Sequence, residues 1–274
     1  MAEAGLHYDP KFVSGEERAE IARWLAAIQP LWENRFSARR AAAAGGQRRL
    51  LRPVYWLGSW QFACLDYYRP PHVANRCVEA EPYPPVLARL VARIEQLARR
   101  LYRGAAMPER WHLSTCLVNL YGSRIEHGRR VDCARLGEHR DFEPGPVASI
   151  SLGERALFEF VRRGAADAPA RVVARQWLDD GSLQLFGGDA WKKHALHRVP
   201  RVDRRAGCAF SVRVPDFETR RVNLTFRYVP DEHVVPFARL APQAREDVRA
   251  NVAELARGSA FFARALAAEG SSVA

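Results

Sequence analysis

The period of the apolar residues changes at His112, and that change constrains the fold more than any other feature of the chain. Before it the pattern is helical. Glu16 to Leu31 reads as an amphipathic helix with Ser14 as its N-cap. Pro84-Pro85 opens a second helix running to about Arg103, apolar at Val86, Leu87, Leu90, Ile94, Leu97 and Leu101. The Ala41 to Gly46 stretch between them is expected to be a loop or a frayed helix. After His112 the pattern alternates. Strands are expected at Leu113–Tyr121, Val147–Leu152, Ala156–Arg162, Arg171–Leu178, Ser182–Phe186, His194–Val199, Cys208–Val214 and Arg221–Val229, with turn signals between them. Ala241 to Ala268 is helical again. Short strands bracketed by helices imply an α+β fold: a double-stranded β-helix (jelly roll) with flanking N-terminal and C-terminal helices. We read residues 1–274 as a single domain. Its N-terminal helical and aromatic part covers about 1–110, its core about 111–230 and its C-terminal helices about 238–270.

One strand carries chemistry on its face. Arg221, Asn223, Thr225 and Arg227 share one side, while Val222, Leu224, Phe226 and Tyr228 share the other. The first and last guanidiniums lie about 20 Å apart along an extended chain. Side chains leaning inward close most of that gap, leaving room for a short dicarboxylate held by charge-assisted hydrogen bonds. The competing reading is a solvated outer face.

Charge extends the argument to partners. The net charge is +11, which favours phosphate-bearing molecules through attraction and counterion release. Lysine occurs only at Lys11, Lys192 and Lys193, and an arginine- and alanine-rich chain also has the look of a GC-rich coding bias, so charge alone does not establish a nucleic-acid partner. Five widely spaced cysteines without a C-x-x-C pair argue against a disulfide framework or a zinc ribbon and for a reducing cytoplasm. No apolar run approaches membrane-spanning length, and Met1 to Gly5 shows no basic region followed by an apolar segment, so secretion is not expected.

His139-Arg140-Asp141 puts an imidazole and a carboxylate two residues apart, on one face of an extended segment. A later histidine would complete two His and one carboxylate, an arrangement suited to Fe(II) with open positions for a co-substrate and oxygen. His194 and His197 compete for that place after the Gly187-Gly188-Asp189 turn. Ala195, His197 and Val199 form a small-to-apolar face of the kind a barrel interior requires, whereas His194 shares its face with Leu196 and Arg198. Alternation favours His197.

The order of these motifs resembles the AlkB family of Fe(II)/2-oxoglutarate-dependent dioxygenases. It runs from H-x-D through Val147 to Gly153 and Phe158-Glu159-Phe160, then the Gly-Gly turn and distal histidine, to R-x-N-x-T-x-R. The likeness spans roughly Leu113 to Val229. It also takes in Asn119-Leu120-Tyr121, matching the family's N-x-Y. The resemblance implies Fe(II) on His139, Asp141 and His197. It implies 2-oxoglutarate held by Asn119, Tyr121, Arg221, Asn223 and Arg227, with O2 as the second co-substrate. It further implies oxidative demethylation of N-alkylated bases in single-stranded DNA or RNA; a hydroxylase of a protein side chain or a small metabolite is the alternative. Tyr55, Trp56 and Trp60, with Phe62, Tyr67 and Tyr68, fall where the family keeps its nucleotide-recognition region, and Arg129 and Arg130 are placed to meet phosphates.

Two departures stand out. The interval from Tyr121 to His139 is longer than the family's usual spacing and reads as an added hairpin or lid near the metal. The interval from His197 to Arg221 is also extended.

Overall fold

In a computed structural model, which describes residues 5–36, 47–61, 77–102, 104–164 and 170–270, the alternating part of the chain folds into two facing antiparallel sheets. In chain order the strands are β1 (Leu6–Asp9), β2 (Val54–Leu57), β3 (Thr115–Glu126), β4 (Arg129–Asp132), β5 (Leu136–His139), β6 (Val147–Gly153), β7 (Ala156–Arg162), β8 (Arg171–Leu178), β9 (Ser182–Phe186), β10 (Leu196–Val202) and β11 (Phe217–Arg227). The larger sheet runs β1-β9-β6-β11-β3-β2, with β4 added beside β3. The smaller runs β8-β7-β10-β5. From β5 to β11 each successive strand changes sheet, except β7 and β8, which are neighbours in the smaller one.

Both faces of the larger sheet are covered, which explains why its strands are apolar on one side and polar on the other yet buried throughout. Val222, Leu224 and Phe226 join Val118, Leu120, Ile150 and Leu183 in one core. Helices α1 (Gly15–Ala27) and α2 (Pro85–Leu101) pack on that side through Ile21, Leu25, Leu87, Leu90 and Ile94. The opposite faces of β3, β6 and β11 look into the space between the sheets. The first helix begins where its capping chemistry dictates. Glu17 N–H donates to Ser14 Oγ at 3.2 Å, and Ser14 N–H donates back to the Glu17 carboxylate at 2.9 Å. Ser14→Ala is expected to lower the free energy of unfolding by about 1 kcal/mol in a urea titration; an unchanged midpoint would show the cap to be idle.

The long interval after Tyr121 forms the expected hairpin. β3 continues to Glu126, turns through His127 and Gly128, both at positive φ, and returns as β4. It is fastened to the sheet: Arg130 pairs with Glu218 at 2.5 Å, and the buried Arg220 pairs with Glu154 at 2.8 Å and with Asp132 at 3.4 Å. Gly122 sits where β11 bulges between Thr219 and Arg221. A Cβ there would lie 1.8 Å from the Glu218 carbonyl oxygen, so only glycine allows the approach that sets Arg221 opposite Tyr121.

Three expectations need correction. Cys208–Val214 is not a strand. One backbone bond reaches β11, Phe210 N–H to Thr219 O at 3.0 Å; the following ones are local, Val212 N–H to Phe210 O at 2.8 Å and Val214 N–H to Val212 O at 3.0 Å, and Pro215 has no N–H to offer a ladder. After the single-turn α3 (Asp189–Lys192), the C-terminal helix is two helices, α4 (Pro242–Ala256) and α5 (Ala260–Gly270), because Gly258-Ser259 ends the first and Ser259 caps the second. The first helix stops at Ala27, short of Leu31. The Ala41 to Gly46 stretch lies outside the described residues. Among the described residues no helix is long and apolar enough to cross a membrane.

Candidate metal centre and co-substrate pocket

His139 ends β5 and His197 is the second residue of β10. The two strands pair with these residues opposite one another. That register brings the imidazoles together, with ring centroids 4.2 Å apart, and the chain leaving β5 returns Asp141 beneath them. His197 Nε2 lies 3.5 Å from Asp141 Oδ2. One ligand atom from each of His139, Asp141 and His197 lies within 4.8 Å of the others. His194 is exposed, while Ala195, His197 and Val199 are buried, in keeping with the alternation of the strand.

The protonation states suit a cation. Burial pushes the His197 imidazole well below its ordinary range, and the neighbouring His139 adds to the effect. Burial lowers His139 as well. For Asp141 burial acts upward, but the Arg227 guanidinium and His197 outweigh it and hold the carboxyl below its usual range. Two neutral imidazoles and one carboxylate are therefore the state at neutral pH, the state a metal needs. The Gly137 carbonyl, 2.9 Å from His139 Nδ1, accepts a hydrogen bond from the Nδ1–H tautomer, in which Nε2 is the nitrogen with a free lone pair for a cation. Arg227 donates to Asp141 Oδ1 at 2.7 Å and lies 3.6 Å from Glu143. It thus holds the metal-site carboxylate from behind.

The face carrying Arg221, Asn223, Thr225 and Arg227 is buried between the sheets and is not solvated. These residues line one pocket with Asn119, Tyr121, His139, Asp141 and His197. Arg221 Nη2 donates to Ser151 Oγ at 3.0 Å, and its guanidinium lies 4.8 Å from the centre of the Tyr121 ring. Its Nε and Nη1 are buried without a hydrogen-bond partner. A buried guanidinium with open donors is costly unless an anion arrives. Asn223 donates to Ser149 Oγ at 2.7 Å and accepts from Thr225 Oγ1 at 2.7 Å. Thr225 therefore sets the orientation of the amide. The other half of the pocket is apolar, with Leu136, Phe158, Leu178, Phe186 and Val199; the Phe158 ring stacks on His197 at 5.3 Å.

The aromatic residues expected to meet a base do not face the surface. Tyr55, Trp56 and Trp60 are buried: β2 pairs with β3 at the edge of the larger sheet, Trp60 follows on the short strand Ser59–Gln61 that pairs with Cys77–Glu79, and α5 packs on Tyr55 and Trp60. Phe262 makes edge contacts with Tyr55 and Trp60 at 6.5 and 6.4 Å, and Trp60 Nε1 donates to Glu33 at 3.1 Å. These rings anchor the C-terminal helices. Phe62, Tyr67 and Tyr68 lie outside the described residues. Arg129 and Arg130 are exposed on the hairpin. Sequence reasoning missed Arg52 and Glu143, which no periodicity marks. It also missed Phe142, 56% exposed beside Asp141, and the serines of β6, whose alternation at 149 and 151 was legible.

A jelly roll that sets two imidazoles and a carboxylate beside a cationic pocket is the construction of a metal-dependent oxygenase with an acidic co-substrate. The sequence pattern of the 2OG-Fe(II) oxygenase superfamily matches residues 5–227, and the chain belongs to that superfamily. It is an Fe(II)- and 2-oxoglutarate-dependent dioxygenase that consumes O2. The fold is shared with OsALKBH1, an AlkB homologue: 21% identity, a TM-score of 0.51, and coverage of 83% of this chain and 100% of that one. A bsmA homologue from Methylobium petroleophilum PM1 aligns at 14% identity and a TM-score of 0.40 over 82% of this chain and 88% of its own. No protein of curated function matches by sequence.

Proposed function

We propose that this dioxygenase removes alkyl groups from ring nitrogens of bases in single-stranded DNA or RNA. In this reading His139, Asp141 and His197 hold the iron. Asn119, Tyr121, Arg221, Asn223 and Arg227 form the co-substrate pocket. The observation that carries the chemistry is the open, buried guanidinium of Arg221 in the same pocket as the three ligand atoms. Bound Fe(II), 2-oxoglutarate and O2 supply the oxidation, in which the co-substrate leaves as succinate and carbon dioxide and a substrate C–H bond is hydroxylated. On an N-methyl group the hydroxylated product collapses to formaldehyde and the free base. The protein's own part is placement and exclusion. Arg221 and Tyr121 grip the far carboxylate, Arg227 keeps Asp141 ionised and aimed, and Phe158 and Phe186 keep water from the reacting side.

The substrate class is supported by the net charge of +11 and by Arg129 and Arg130 on the hairpin. Phe142, exposed next to Asp141, takes over the stacking role that buried Tyr55, Trp56 and Trp60 do not fill. Burial of those rings favours the second reading, hydroxylation of a protein side chain or a small metabolite. The unpaired thiols of Cys77, Cys116, Cys133 and Cys208 accord with a reducing compartment such as the cytoplasm. Methylated oligonucleotides incubated with enzyme, Fe(II) and 2-oxoglutarate are expected to lose methyl mass, with single strands preferred and affinity falling steeply with salt. Intact oligonucleotides in a preparation that still turns over 2-oxoglutarate would leave the second reading standing.

A further inference from the structure

The co-substrate pocket contains a guanidinium from outside the jelly roll. Arg52 precedes β2 on a segment whose Pro53 carbonyl accepts from Leu120 N–H at 3.1 Å, so the segment is laid directly against β3. The side chain is buried and lines the same pocket as Asn119, Tyr121 and Arg221. Its Nε donates to Asn119 Oδ1 at 2.8 Å, which leaves the amide nitrogen as that side chain's remaining donor. Its guanidinium lies 4.9 Å from the centre of the Tyr121 ring, the same ring that Arg221 approaches to 4.8 Å.

Two guanidiniums thus converge on one phenol ring, and among the described residues neither has a carboxylate within ion-pair distance. Like charges desolvated together repel, and neither ring contact nor amide bond neutralises them. A wall of this kind is poorly satisfied alone and well satisfied by one anion placed between the two forks.

We propose that Arg52 is a binding residue for the distal carboxylate of the dicarboxylate co-substrate, acting with Arg221 and orienting Asn119 toward it. The inference rests on the reading above, in which Arg221 and Tyr121 hold that carboxylate. It makes the N-terminal part of the chain a component of the co-substrate site. It also makes Arg52 a determinant of selectivity for dicarboxylic over monocarboxylic 2-oxo acids.

The test is equilibrium binding to the full chain loaded with Mn(II). The probes are N-oxalylglycine, which keeps both carboxylates, and pyruvate, which lacks the distal one. Arg52→Met is expected to weaken N-oxalylglycine about tenfold or more and to leave pyruvate within about twofold. The metal-loaded protein without either acid should melt no lower than wild type, because a repulsion has been removed along with the Asn119 bond. Arg52→Gln keeps a donor for Asn119 without the charge. A similar loss in this variant assigns the effect to charge and covers the case in which Arg52→Met does not fold. Equal weakening of both acids, or no weakening of N-oxalylglycine, would overturn the proposal. Arg221→Met run in parallel separates the two levels. If it weakens N-oxalylglycine while the Arg52 variants do not, Arg52 alone has been misread; if none of them does, the pocket reading fails with it.

Discussion

Replacing His139, Asp141 or His197 by alanine is expected to abolish Fe(II)-dependent turnover of 2-oxoglutarate, while His194→Ala should retain most of it. The expectation follows from the three ligand atoms lying within 4.8 Å of one another and from the exposure of His194 on the far side of the turn. Each alanine leaves two ligands, too few to hold a facial site with open positions. Arg227→Met should act one step removed. It leaves the ligands in place but removes the 2.7 Å bond that aims and ionises Asp141, and a partner of this kind is worth about 10- to 100-fold in metal affinity. Metal content after dialysis, together with succinate formation, reads both effects. A dead His194→Ala beside an active His197→Ala would reverse the assignment of the distal histidine.

Arg221→Lys is expected to raise the concentration of 2-oxoglutarate needed for half-maximal turnover, with little change in metal affinity. Arg221 has two buried nitrogens without partners, and a lysine ammonium cannot present a planar fork to a carboxylate. Loss of a charge-assisted hydrogen bond costs about 1.5–3 kcal/mol, so the half-saturating concentration should rise by about one to two orders of magnitude. A titration of succinate formation against 2-oxoglutarate measures it directly. The contrast with Arg227 is the informative part, because the two arginines share one strand face and were indistinguishable by spacing. An unchanged titration curve in Arg221→Lys would mean that its open donors serve something other than the co-substrate.

Local period decided much of what could be read in advance. A strand has a repeat of two whatever it packs against, so the sides of Arg221 to Tyr228 and of Ala195 to Val199 followed from the order of residues alone. The same holds for the Ser14 cap, which depends on residues three apart, and for the hairpin after Tyr121, which His127-Gly128 turns within four residues. Cys208 to Val214 shows where local period stops deciding. It alternates like a strand, but a single bond from Phe210 to Thr219 does not extend into a ladder, the bonds after it are local and Pro215 has no N–H to donate. Tyr55, Trp56 and Trp60 show another limit, since aromatic residues look alike in sequence whether they await a ligand or α5.

Residue order alone set which residues share a face, the succession of the candidate metal-ligand and pocket motifs, and the helix start at Ser14. Tertiary structure decided how each face is buried, since the second sheet closes over Arg221 and Arg227 while the helices cover the apolar side of β11. It also decided the division of labour between them, by laying Asp141 on one and Tyr121 beside the other. Arg52, from a segment far along the chain from β11, enters the same pocket only because β2 pairs with β3. The physical reason is range: periodicity is set by backbone geometry over a few residues. The pairing of a charge with its partner depends on contacts between strands that lie far apart in the chain and meet only when the sheets close.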